Sequence, residues 1–148
     1  MEPLIAKPSS SGGGMSRPPP PEPASLEAAV TEASTSEMAQ IFTRVEPPFR
    51  ITHVNDAWVR LCGFSADEAV GKTLACLQGP LSERDEITKI VDQAARGHAC
   101  SALITNYTKQ GQRFQNFLRV VPLVRGNDDA QPSHMLGVLQ DVQPQLAG

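Results

Sequence analysis

Hydrophobic positions change their spacing several times along the chain, and each change marks an element. Residues 40–45 and 49–54 alternate as short strands, separated by the turn signal Glu46-Pro47-Pro48. Asn55 is placed to cap a helix over 56–61, and Gly63 to end it. Ser65-Ala66-Asp67-Glu68 has the form of a capping box, in which serine and glutamate each satisfy a free backbone donor. Ile87, Ile90, Val91 and Ala94 fall at helical spacing, so a longer helix capped by Ser82 is expected to run to about Arg96 and stop at Gly97. Its outer side carries Glu83, Arg84, Lys89 and Asp92, read as a solvated surface. The last third alternates again, over 99–108, 113–123 and 133–142, with a glycine turn at Lys109-Gln110-Gly111-Gln112 and a polar loop at 126–132.

Between the first helices and the longer one lies Gly-Lys-Thr-Leu-Ala-Cys-Leu-Gln-Gly-Pro, residues 71–80. Two glycines bracket a run too brief for a long helix, and the proline halts continuation because it lacks an N–H. Such a turn suits the wall of a pocket, and Gln78 is its one long polar residue late in the run.

Side chains alternate faces along a strand, which makes 113–121 informative. Phe114, Asn116, Leu118 and Val120 share the face expected to be buried, while Arg113, Gln115, Phe117, Arg119 and Val121 share the other. Asn116 and Asn106 therefore sit among apolar neighbours, where an unpaired amide costs about 1–3 kcal/mol. The order is two strands, short helices, one longer helix and three strands. It predicts an α+β fold, a five-stranded antiparallel sheet with helices covering one face and a pocket between them.

Residues 1–36 have a different character. Pro, Ser, Gly and Ala dominate, and this composition buries too little apolar surface to offset the entropy of ordering it. The segment is read as a disordered tail, a spacer with a proline run at 18–21 that a polyproline-reading groove could also take. Residues 25–31 can form one or two helical turns with Leu26, Ala29 and Val30 together, persisting only by packing on the domain that follows. The domain is placed at 38–142, with a short tail at 143–148.

Composition narrows the classes. The 148 residues carry 13 Lys+Arg and 16 Asp+Glu, net charge −3. That mild acidity argues against direct nucleic-acid binding through a basic face. No apolar run approaches the roughly 20 residues a membrane span needs, and the start lacks a secretory signal. Cys62, Cys76 and Cys100 have no metal-ligand spacing and read as small core residues of a reduced, intracellular protein, cytoplasmic or nuclear. His53, His98 and His134 are scattered without nucleophile or metal partner, so no enzyme is expected.

Several pieces in register resemble the PAS superfamily, and within it the light, oxygen and voltage (LOV) subgroup. They are Val-Asn-Asp-Ala-Trp at 54–58, Leu-Cys-Gly-Phe-Ser at 61–65 and Leu-Gln-Gly-Pro at 77–80. Asn-Tyr-Thr-Lys-Gln-Gly at 106–111, Phe-Gln-Asn at 114–116 and Gly-Val-Leu-Gln-Asp-Val at 137–142 follow. The resemblance implies a sensory module in signal transduction, and it implies where a flavin would sit. The photoactive pattern reads Gly-x-Asn-Cys-Arg-Phe-Leu-Gln-Gly. Its reactive cysteine corresponds to Leu74, its phosphate arginine to Ala75, a second phosphate arginine to Val91 and its final-strand glutamine to Leu139. Gln78, Asn106 and Asn116 match positions that hydrogen-bond the flavin.

Cys76 does not replace the missing thiol, because two residues along a helix it points nearly opposite to Leu74. Losing two charged phosphate contacts costs roughly 3–6 kcal/mol, on the order of a hundred- to ten-thousandfold in affinity. FMN is thereby disfavoured and riboflavin, without a phosphate, less so. Three occupancies stay open for the amides: a flavin, another small ligand or water, and pairing with each other or the backbone. The expected function is a non-photochemical sensory and protein-interaction module. It would associate as a homo- or heterodimer through the outer sheet face, at Phe117 and Val121. The alternative is a flavin-binding photoreceptor-like domain.

Overall fold

The computed structural model describes residues 24–125 and 131–142. Most of the N-terminal tail, the short C-terminal tail and most of the 126–132 loop lie outside these.

Five strands form the antiparallel sheet: β2 (Ala39–Arg44), β3 (Ile51–Val54), β4 (Cys100–Tyr107), β5 (Arg113–Val124) and β6 (His134–Asp141). Their spatial order is β4-β5-β6-β2-β3. A sixth, two-residue strand, β1 (Ala24–Ser25), pairs in parallel with the far end of β5, Ala24 opposite Leu123. Helices α2 (Asp56–Cys62), α3 (Ala66–Ala69) and α4 (Arg84–Ala95) lie between β3 and β4 in the chain. With a 3₁₀ turn at Leu74–Leu77 they contribute to one core with the sheet's inner face, including Trp58, Cys62, Ile90, Phe114 and Leu118.

The local signals act as expected at most helix ends. Asn55 accepts from Trp58 N, Gly63 adopts φ +88° beyond the last turn of α2, and Ser65 and Glu68 close their capping box. Gly97 also lies at positive φ just past α4. One cap differs. Helix α4 is preceded by Glu83 with no side-chain cap, because Ser82 is engaged elsewhere: its hydroxyl donates to Thr105 O at 2.6 Å and accepts from Gly79 N at 3.0 Å. Glu83 is likewise not part of a purely solvated surface. Its carboxylate accepts from Thr105 N at 2.7 Å and from Thr105 Oγ1 at 2.9 Å, satisfying the edge of β4.

Helix α1 (Leu26–Ala33), capped by Ser25, lies against the outer face of the sheet. Leu26 and Ala33 pack with Phe42 and Leu123, so one half of that face is covered. Asn55 anchors the far end of α1. Its Nδ2 donates to Ala33 O and Met38 O, while Oδ1 accepts from Gln40 N and Trp58 N. The other half of the outer face stays open. Leu103 and Phe117, directly paired across β4 and β5, are 52% and 43% exposed. Val121 is half-buried beside its pair partner Leu136, which packs with the α1 cluster.

Candidate functional site

The 71–80 turn is tied down at both ends. On one side Ile51 N donates to Lys72 O and Gly71 N to Ile51 O. On the other, Asn106 Nδ2 donates to Leu77 O at 3.1 Å and Leu81 N to the Tyr107 hydroxyl at 3.1 Å. Gly79 passes so close to the Tyr107 ring that a Cβ there would come within 2.4 Å of it. The turn is thus held over the inner face of β4.

Two small cavities lie beneath it, each about 30 Å³. Ile41, Leu74 and Leu118 line both. Gln78, Asn106 and Asn116 all line the first, together with Leu139. Val91 lines the second. The alternation along β5 therefore holds: Asn116 is fully buried and faces inward with Phe114, Leu118 and Val120.

The two asparagines are paired. Asn116 Nδ2 donates to Asn106 Oδ1 at 2.9 Å, and Asn116 Oδ1 accepts from Gln140 N at 3.1 Å. With Asn106 Nδ2 reaching Leu77 O, one chain of hydrogen bonds runs from the 3₁₀ turn through β4 and β5 to β6. The Gln78 side chain is half-buried and has no hydrogen-bond partner among the described residues.

A flavin does not fit this arrangement. Ligand sites run to about 300–1,000 Å³, roughly ten times either cavity, and each cavity has room for only one or two waters. Ala75 and Val91, where the resemblance puts phosphate arginines, are uncharged, one exposed and one buried. No cysteine lines either cavity. Cys62 closes α2 in the core, and burial, helped by the neighbouring Cys76, pushes its thiol up to about 12. Burial also raises Cys76, against the pull of Lys72, and Cys100, whose Sγ donates to Ile90 O at 3.3 Å. A thiol held protonated is a poor nucleophile.

The histidines serve no common site. His98 is exposed after α4, and His53 meets Phe42 edge-on. His134 is buried against Ser133, its titration lowered by burial and by the charges of Arg125 and Arg44. Sequence reasoning missed Ser82, Glu83 and Tyr107 as the residues that hold the turn. Their partners lie on β4, more than twenty positions away in chain terms, and no local pattern signals them.

Comparison with known proteins follows this geometry. The PAS domain family model matches residues 39–144. The bacterioopsin transcriptional activator of Halobacterium salinarum is 29% identical over 121 residues, covering 82% of this chain and 17% of that protein. A blue-light photoreceptor of Listeria innocua is 29% identical over 92 residues, 62% of this chain and 35% of that one. The chain thus spans about a third or less of the length of these relatives. Among solved structures, a LOV protein of Rhodobacter sphaeroides superposes with a TM-score of 0.70 at 21% identity, covering 83% of this chain and 70% of that one. That likeness shows the fold: an α+β PAS/LOV architecture. On the family match over most of its length, the chain belongs to the PAS domain family.

Proposed function

We propose that this chain is a sensory and protein-interaction module that does no flavin photochemistry and is not an enzyme. One observation carries the reading. Leu74, where the resemblance puts the reactive cysteine, lines both cavities, and the amides beneath it are joined to each other instead of waiting for a ligand. Association through the open half of the outer sheet face, centred on Phe117, would pass the signal on. Val121 lies at the margin of that surface, where α1 begins to cover it. Three free thiols fit an intracellular setting.

The second reading, a receptor for riboflavin or FMN, is favoured by the convergence of Gln78, Asn106 and Asn116 on one cavity and by the blue-light receptor among the relatives. It requires the cavities to merge and the Asn106–Asn116 bond to open.

An absorption spectrum of protein purified from a flavin-replete host separates the two. A colourless protein is expected. A structured band in the blue, made reversibly bleachable by Leu74→Cys, would replace the first reading with the second.

A further inference from the structure

The largest cavity described lies outside the core. A half-open cleft of about 200 Å³ sits between the carboxyl end of α1 and the outer face of β2 and β3, several times the volume of either inner cavity. Its apolar lining is Val30 and Ala33 of α1, Phe42 of β2 and Val54 of β3. Its polar lining can be sorted by what each group still has to give.

Asn55 has nothing left: both donor hydrogens and its oxygen are committed to four backbone groups. At Thr52 the hydroxyl has one proton, and it donates to Phe42 O at 3.3 Å. The contact between Thr52 Oγ1 and His53 Nδ1 at 2.8 Å then makes the imidazole the donor. His53 Nε2 is left as an acceptor with no partner among the described residues. Asp56, in the first turn of α2, also has no ion-pair or hydrogen-bond partner among them. The cleft thus holds two free acceptors and one acidic group, and no basic residue lines it. The last turn of α1 points its carbonyl end here and carries no basic side chain, so the helix dipole adds to the same sign.

We propose that this cleft is a binding site for a small organic cation, an ammonium or amidinium group on an apolar body of about one ring. The cation pairs with Asp56 and donates to His53 while the body rests on Phe42 and Val30. Because α1 forms one wall, occupancy holds this helix against the sheet. The site is independent of the inner cavities and of whether they take a flavin.

The test uses 2-phenylethylamine as probe and phenylacetate, with the same ring and the opposite charge, as control, followed by amide NMR on the full chain. Saturable shifts confined to residues 30–56 are expected from the amine and none from the acid. Asp56→Asn should raise Kd at least tenfold. Ser34→Lys, an exposed change at the rim that places a rival ammonium in the cleft, should do the same. Should Asp56→Asn fold poorly, Ser34→Lys decides. The proposal is overturned if both probes act alike, if neither shifts these residues, or if the same signals move with protein concentration alone, which would make the occupant a second copy of the chain.

Discussion

Asn116 donates its amide to Asn106 across two paired strands at 2.9 Å, and that one bond divides a buried polar chain from an open ligand site. Both side chains are held inside an apolar lining where a lost partner is not replaced by bulk water. The bond gives the sheet's inner face a polar link from the 3₁₀ turn to β6, and any molecule entering the cavity must compete with it.

Asn116→Ala strips partners from Asn106 Oδ1 and Gln140 N together. A loss of about 2–4 kcal/mol is expected in urea denaturation, from roughly 1–3 for each buried group left unpaired. A loss below about 1 would mean that a ligand or water already carries those bonds.

Gly79→Ala forces the Tyr107 ring to move, because a methyl at 2.4 Å has no room. Overpacking of this kind costs about 1–3 kcal/mol, and displacing the ring also breaks its bond from Leu81 N. In Tyr107→Ala the same glycine change should be nearly silent. A double-mutant cycle measures this, and additive effects would contradict the close approach.

Acid should unfold the protein in two stages. His134 has a folded pKa below its ordinary 6.5, since burial and then the nearby Arg125 and Arg44 disfavour its charged form. The unfolded chain therefore binds its proton first, and stability falls as pH drops below about 6.5. Glu83 and Glu68 follow. Burial raises Glu83, but the hydrogen bonds from Thr105 outweigh it and hold it below the usual carboxylate value. Glu68 is lowered by Lys109 and then by Ser65. Their contribution is present above the unfolded carboxylate pKa and is lost as pH falls through the folded one. Glu83→Gln should flatten the lower part of the pH–stability curve, and His134→Gln the upper part.

Phe117→Asp places a charge in the middle of the open half of the outer sheet. Sedimentation velocity should show a dimer of the wild-type chain shifted toward monomer. The same change at Val121, nearer α1, should weaken association less and stability more. Equal sedimentation of all three proteins would remove this face as the interface.

Much of the fold could be read from residues alone, and the reason is local. Asn55, Gly63 and the Ser65–Glu68 pair act within four positions of one another, so propensity and capping settle α2 and α3 before any tertiary contact forms. The two-residue alternation in β5 likewise determined that Asn116 faces inward. Three things were decided only by the folded chain. Ser82 reads as a helix cap but is drawn off by Thr105 O, because a buried strand edge needs its hydroxyl more than an exposed helix end does. Strand β1 is two residues long and exists only because the end of β5 offers it partners. Whether three inward amides grip a ligand or one another depends on distances across β4, β5 and the turn, and chain spacing carries no measure of those. The sequence determined which side chains point into the interior; packing determined how little room they leave there.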